Sequence, residues 1–68
     1  MKIGYRIKNL RIENKLTQQQ LADMLSISQQ AYSKYENDKI LLPIKILCKL
    51  ADIYNISTDY ILERKNIK

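Results

Sequence analysis

Apolar side chains recur every three or four residues along the chain, which is the spacing of one face of an α-helix. The first such stripe consists of Ile3, Ile7 and Leu10, and its helix is predicted to end near residues 14–15. Strict alternation of apolar and polar residues never extends beyond a few positions, and the chain holds one glycine and one proline. The pattern therefore predicts an all-α protein.

Three further helix starts share one local pattern, in which a Ser or Thr that can cap the helix is preceded by an apolar residue. The caps are Thr17, Ser28 and Ser57, and each has an apolar partner four residues further on. Gln20 can complete a capping box with Thr17. Another helix is predicted to begin around Pro43, because its fixed φ and missing N–H suit a first helical turn. The pattern thus predicts five helices.

The connection between the second and third helices is very short. Only Ser26 and Ile27 separate the predicted end of the second helix at Leu25 from the next cap. Such a joint forces the two helix axes to cross steeply, as in a helix-turn-helix. We therefore predict a compact five-helix bundle in one domain over residues 1–63, followed by a short frayed tail at 64–68.

The fourth helix is predicted to bury one stripe of side chains. This stripe comprises Leu47, Leu50, Ala51 and Tyr54. Cys48 is interpreted as a buried or half-buried helix residue without a redox role. Tyr5, Tyr54 and Tyr60 are expected in the core or at its rim.

Size and charge narrow the classes of function. A chain of 68 residues supports one core, and most enzymes need a deep pocket of roughly 300 Å³ or more within a larger scaffold. The net charge of +5 favours nucleic acid or an anionic membrane surface as partner. Because the cations are scattered through capped helices, a membrane-surface peptide is disfavoured. No apolar run approaches the ~18 residues needed to cross a bilayer.

A cytoplasmic location is expected, because Lys2, Arg6 and Lys8 interrupt any candidate signal peptide. The chain has no His and one Cys, so it offers no transition-metal site and no intramolecular disulfide. Neither a Ser–His or Cys–His pair nor a Gly-rich phosphate loop can be assembled. We expect no enzymatic activity, no metal and no cofactor.

The third helix carries a polar arc opposite its tyrosines, Tyr32 and Tyr35. The arc consists of Gln29, Gln30, Ser33 and Lys34. A glutamine amide can donate to adenine N7 while accepting from the N6 amine, and a lysine can donate to guanine or to a phosphate. Taken alone, such an arc is more often an ordinary solvated surface.

Two ordered motifs decide between these interpretations. They are LTQQQLA at 16–22 and ISQQAYSKYEN at 27–37, and the pattern continues through Pro43, Leu47, Leu50-Ala51 and residues 56–62. From residue 11 to residue 62 the chain resembles the lambda-repressor-like family of helix-turn-helix domains, also called the Cro and phage-repressor or xenobiotic-response-element family. The resemblance implies a five-helix DNA-binding domain that inserts its third helix into the major groove.

The resemblance also implies roles for individual residues. The base-reading positions are Gln29, Gln30, Ser33 and Lys34. The phosphate-contacting positions are Gln18, Asn37 and Lys39. Arg11 and Glu36 match a structural ion pair between the first helix and the end of the third.

Ser26 and Asp38 stand where the family usually has glycine. Both positions often require φ > 0. Asp tolerates this conformation fairly well, whereas at Ser it costs as much as ~1–2 kcal/mol of strain.

The sequence thus favours a small transcriptional regulator, in particular a repressor, that binds a palindromic DNA operator as a homodimer. Ile56, Tyr60 and Ile67 are candidates for the dimer surface. The alternative is an antitoxin or anti-regulator that acts mainly by binding a protein partner through Ile40–Leu42 or the fourth helix. The Ile40–Leu42 segment is equally compatible with an exposed contact patch or with packing on the core or in a dimer.

Overall fold

A computed structural model describes residues 3–62 of the chain. It contains five helices in this range, α1 (Ile3–Glu13), α2 (Gln18–Leu25), α3 (Gln29–Glu36), α4 (Ile44–Tyr54) and α5 (Thr58–Ile61), and no strand. The predicted all-α, five-helix fold is confirmed. The proposed tail at 64–68 and the dimer candidate Ile67 lie outside the described residues.

Local hydrogen bonds start the helices where the sequence predicts. The Thr17 hydroxyl accepts from the Gln20 amide at 3.0 Å, and the Gln20 side chain accepts from the Thr17 amide at 2.8 Å. Ser28 and Ser57 each accept from the backbone amide three residues on, at 3.1 and 3.0 Å. Pro43 is the N-cap of α4, so that this helix begins one residue later. The three hydroxyl caps are therefore confirmed.

One core joins all five helices. Its buried apolar residues are Ile7, Leu10, Leu21, Ala22, Leu25, Tyr32, Tyr35, Ile46, Leu50, Ala51 and Ile61. Ile46 is buried although the stripe predicted for α4 does not include it. Leu47 and Tyr54, which the predicted stripe includes, are only partly buried at the edge of the core. The buried face of α4 is centred on Ile46 and Leu50, which are four residues apart and therefore lie one above the other.

Two predicted burials are wrong for one geometric reason. Cys48 is exposed, and Tyr5 keeps 65% of its surface accessible. Each lies two residues from a core position, Cys48 from Leu50 and Tyr5 from Ile7. At 100° per residue, that spacing places the side chain on the far side of the helix.

The two positions where the family usually has glycine both adopt a left-handed backbone. Ser26 has φ 60° and ψ 40°, and it ends α2 with its N–H directed at the carbonyls of the last turn. Asp38 has φ 57°, and its carboxylate accepts a hydrogen bond of 3.0 Å from the backbone N–H of Gly4. Asp38 thus gains a tertiary contact from this conformation, whereas Ser26 is exposed and makes no side-chain hydrogen bond within residues 3–62.

Replacing Ser26 with glycine is therefore expected to stabilise the protein by about 1 kcal/mol. A left-handed conformation costs an L-residue roughly 1–2 kcal/mol, which exceeds the extra entropy that glycine loses on folding. The matched control is Ser28→Gly, at φ −74°, which removes a cap and should be slightly destabilising. Urea unfolding of both variants measures the difference, and a destabilised Ser26→Gly protein would contradict this interpretation.

Candidate nucleic-acid interface

The α2–α3 connection fixes which face of α3 points outward. The Ile27 amide donates to the Ala22 carbonyl at 3.0 Å, closing the end of α2 immediately before the Ser28 cap. On α3, Tyr32 is completely buried and Tyr35 is 9% exposed. These two rings hold one side of α3 against the core, so the opposite side faces solvent.

The outward side of α3 forms one open concavity with the loop that follows it. The concavity has a volume of about 430 Å³ and is lined by Gln29, Gln30, Ser33, Lys34, Asn37 and Lys39. The four candidate base readers therefore lie together with two of the three candidate phosphate contacts. Within the concavity, the Asn37 side chain donates to the Ser33 hydroxyl at 3.3 Å. The surface offers amides, a hydroxyl and two ammonium groups, which suit the acceptor-rich edge of a nucleic acid.

Gln18 lies at the side of this surface, at the N-terminus of α2. Its side-chain oxygen accepts a hydrogen bond from the side-chain nitrogen of Gln29 at 3.3 Å. The backbone amide of Gln18 belongs to the first helical turn and so has no acceptor within the helix. A helix N-terminus of this kind favours an anion such as a phosphate.

A buried ion pair lies directly behind the surface. Arg11 binds the Glu36 carboxylate through two nitrogens, at 2.7 and 3.1 Å, and donates a third bond to the Leu16 carbonyl at 2.9 Å. Only 13% of the Arg11 side chain and 1% of the Glu36 side chain are exposed. Gln18 adds a hydrogen bond of 3.0 Å to the same carboxylate. The pair thus joins α1, α2 and the end of α3.

The surroundings of Glu36 set its ionisation. Burial opposes the charged form, but hydrogen bonds from Arg11 and Gln18 outweigh it and hold the pKa of Glu36 below its ordinary value of 4.5. The Tyr32 hydroxyl also lies close enough to lower this pKa, although no hydrogen bond of standard geometry joins the two side chains. Burial, reinforced by Glu36, raises the pKa of Tyr32 far above its ordinary value. Glu36 is therefore a carboxylate at neutral pH.

This shift makes stability depend on pH in the acid range. Because the folded state has the lower pKa, Glu36 contributes fully above the unfolded value near 4.5 and less as the pH falls through the folded value. We expect unfolding free energy to fall below about pH 5, with a shallower fall in Glu36→Gln. Glu13→Gln, which removes an exposed carboxylate, should retain the wild-type slope. Urea titrations between pH 3 and pH 7 distinguish the slopes, and identical slopes for wild type and Glu36→Gln would count against the ion pair.

Comparison with known proteins identifies the domain. A helix-turn-helix family model matches residues 7–61, which covers α2 to α5 and all of the buried apolar core residues. The chain belongs to the Cro/C1-type helix-turn-helix family. The family comprises DNA-binding transcriptional regulators, and the resemblance to Cro and phage repressors is confirmed.

Several curated helix-turn-helix regulators are similar to this chain. The uncharacterized SPbeta prophage-derived regulator YonR of Bacillus subtilis is 42% identical over 88% of this chain and 56% of its own length. The regulator ImmR of Bacillus subtilis is 36% identical over 98% of this chain and 53% of its length. The cryptic phage CTXphi transcriptional repressor RstR of Vibrio cholerae is 41% identical over 94% of this chain and 57% of its length. The chain spans about half the length of the curated relatives it matches, and no solved structure matches it significantly.

The helix-turn-helix domain carries an exposed apolar segment after α3. Leu41 is 92% exposed and Ile40 46%, whereas Leu42 packs against the core. Ile44, at the start of α4, is 79% exposed. Within the Ile40–Leu42 segment, Ile40 and Leu41 thus form an exposed patch, whereas Leu42 packs on the core.

Sequence reasoning missed several contacts between separate segments of this helix-turn-helix domain, two of which bear on the surface and its loop. The Gln18–Gln29 hydrogen bond joins the two helices across the surface, and the Gly4–Asp38 bond ties α1 to the loop after α3. Neither has a local sequence signal, because the partners are 11 and 34 residues apart. Among residues 3–62, no group of three acidic, His or Cys side chains could hold a metal ion, and no helix is long and apolar enough to cross a membrane.

Proposed function

We propose that this chain is a cytoplasmic, sequence-specific regulator of transcription, acting as a repressor that inserts α3 into the major groove of double-stranded DNA. The observation that carries this proposal is the single concavity that collects the polar face of α3 and the following loop. The base-reading residues are Gln29, Gln30, Ser33 and Lys34. Gln18, Asn37 and Lys39 contact phosphates and set the orientation of α3.

The charge of the protein supports the same partner. A net charge of +5 on 68 residues attracts a polyanion over the range of the Debye length, about 8 Å at physiological salt. Lys34 and Lys39 place two of these charges at the concavity itself. Attraction of this kind supplies nonspecific affinity, and the amides of α3 then supply discrimination between bases.

The proposed repressor acts as a homodimer on an inverted repeat. One α3 offers four readout side chains, which is too few for useful specificity in a genome. Two copies would place their α3 helices in successive major grooves about 34 Å apart. Ile56, just before α5, and Tyr60, within α5, are candidate dimer residues, and both are partly buried.

The second candidate function is that of an antitoxin or anti-regulator acting through a protein partner. The observation that favours it is the exposure of Ile40, Leu41 and Ile44. The residues of the concavity favour DNA, because none of them is acidic. If the protein enriched no sequence from a random DNA pool, binding of a protein partner would become the better supported of the two functions.

Two substitutions separate base reading from phosphate binding. Gln30→Ala should weaken discrimination at one base pair per half-site by about 1–3 kcal/mol, with the salt dependence of affinity nearly unchanged. Lys39→Ala should weaken binding to all duplexes alike and reduce the slope of log affinity against log salt by about one. Lys8→Ala, on α1 and outside the concavity, is the charge-matched control. Equal losses on every sequence for Gln30→Ala would refute its assignment as a base reader.

A further inference from the structure

Asp38 stands between two residues of the concavity but directs its side chain at α1. Asn37 and Lys39 line the concavity, whereas the Asp38 carboxylate accepts a hydrogen bond of 3.0 Å from the backbone N–H of Gly4. The loop after α3 is thus attached to α1 at the residue that separates two of the proposed phosphate contacts.

The two groups of this contact suit each other chemically. Gly4 is the second residue of α1, so its N–H has no acceptor within the helix. The helix dipole favours a carboxylate at this end, and a hydrogen bond to a charged acceptor is about twice as strong as one between neutral groups. Gly4 is also buried and lies directly against the backbone carbonyls of Tyr35 and Glu36. The end of α3 and the loop therefore lie in close contact with α1.

The backbone of the loop is held by α3 as well. The Asp38 N–H donates to the Tyr35 carbonyl at 3.2 Å, and the Lys39 N–H donates to the Lys34 carbonyl at 2.9 Å. These two bonds tie the loop to the helix that it follows, and the Asp38 side chain ties it to a second helix. A segment that is ordered in this way loses little further entropy when it meets a ligand.

Asp38 has two opposite effects on DNA binding. Its negative charge lies beside a surface proposed to bind phosphates, and by itself that charge opposes binding. Its hydrogen bond favours binding, because an ordered loop does not have to be fixed when DNA arrives. Fixing the backbone of one residue costs a free energy equivalent to about tenfold in an equilibrium constant. We infer that Asp38 is a positioning residue that holds Asn37 and Lys39 ready for phosphates, an inference that rests on the proposed function of the concavity.

Asp38→Asn and Asp38→Gly form a matched pair, because both remove the charge and both residue types accept a left-handed backbone. Asparagine retains a side-chain oxygen that can accept from the Gly4 N–H, whereas glycine has none. Asp38→Asn should bind DNA at least as tightly as the wild type. Asp38→Gly should bind about tenfold more weakly than Asp38→Asn. Electrostatics alone predicts equal affinities for the two variants, so the comparison isolates the hydrogen bond.

Fluorescence anisotropy with a fluorescein-labelled DNA duplex of mixed sequence measures these affinities. The slope of log affinity against log salt should be the same for Asp38→Asn and Asp38→Gly, because both retain Lys34 and Lys39. Hydrogen exchange at the Gly4 amide should be faster in Asp38→Gly than in Asp38→Asn. Thermal unfolding followed by circular dichroism establishes that all variants are folded under the conditions of the binding assay.

Two further variants control for the use of glycine. Asn55→Gly makes the same exchange of side chains at the left-handed end of α4, outside the concavity, and should keep affinity within about twofold of the wild type. Asp38→Ala removes the acceptor without adding the flexibility of glycine, and it should bind as weakly as Asp38→Gly.

The outcomes separate the inference from the proposed function. If Asp38→Gly and Asp38→Ala bind as tightly as Asp38→Asn, the hydrogen bond does not prepare the loop, and the inference fails while DNA binding stands. If Asp38→Gly alone binds weakly, the flexibility of glycine accounts for the loss, and the inference again fails. If the wild-type protein binds no duplex, the proposed function fails and the inference fails with it.

Discussion

Arg11→Met is expected to lower the free energy of unfolding by about 3–5 kcal/mol. The substitution keeps the aliphatic part of the side chain and removes the guanidinium that neutralises Glu36. The Glu36 side chain is only 1% exposed, so its charge would remain enclosed with Gln18 as the sole remaining hydrogen-bond donor of standard geometry among residues 3–62. A domain of this size has a total stability of only about 3–10 kcal/mol. Urea unfolding at 10 °C, followed by circular dichroism, measures the loss.

Two further proteins make this prediction specific. Lys8→Met removes an exposed cation from the same helix and should change stability by less than about 0.5 kcal/mol. The double variant Arg11→Met/Glu36→Met removes both charges, and it should be more stable than Arg11→Met because no ion is left without a partner. If Arg11→Met unfolds at the wild-type urea concentration, Glu36 is not held by this pair.

Gly4→Ala is expected to destabilise the protein by about 2–3 kcal/mol, even though alanine is the better helix former. Gly4 is the second residue of α1, where alanine's higher helix propensity stabilises the protein by up to about 1 kcal/mol. However, a Cβ atom there would lie 2.8 Å from the Tyr35 carbonyl oxygen and closer still to that of Glu36. These are backbone atoms that no rotamer change can move, so the cost falls at the upper end of the 1–3 kcal/mol typical of overpacking, or beyond it.

The same substitution should affect the loop after α3. Moving α1 away from the end of α3 would lengthen the 3.0 Å bond between the Gly4 amide and Asp38. Faster amide hydrogen exchange at Gly4 and in the loop should therefore accompany the lost stability. Lys8→Ala, in the exposed part of α1, is the control for helix propensity. A Gly4→Ala protein as stable as this control would show that α1 does not pack so closely on α3.

The helix starts and the fold class could be predicted because local chemistry determines them. A hydroxyl at Thr17, Ser28 or Ser57 satisfies an amide only three residues away, whatever the rest of the chain does. The short Ser26–Ile27 connection limits the geometry of α2 and α3 in the same local way. The positive φ at Ser26 and Asp38 was similarly expected from the glycines usual at these positions.

Burial on α4 was harder to predict, because most positions of this helix are apolar. Ile44, Ile46, Leu47, Cys48 and Leu50 permit several stripes, and only packing against the other helices selects the one through Ile46. Periodicity therefore located the helix without fixing its rotation. The exposure of Cys48 and of Ile44 follows from that rotation.

The candidate site combines local and long-range information. The polar arc of α3 follows from its periodicity, since Tyr32 and Tyr35 occupy the opposite side. The hydrogen bonds of Gln18 to Glu36 and Gln29 require the fold, because they join three different segments of the chain. These contacts between segments are thus a tertiary property that no sequence pattern encodes locally.

Selection of bound duplexes from a random-sequence DNA pool at physiological salt tests the central claim most directly. The repressor account predicts enrichment of an inverted repeat whose half-site centres are separated by about 34 Å, or one helical turn. Enrichment should be lost when two of the proposed base-reading residues of α3, Gln29 and Gln30, are both replaced by alanine. If the folded wild-type protein enriches no sequence, the account of α3 as a DNA-reading helix in this chain is contradicted.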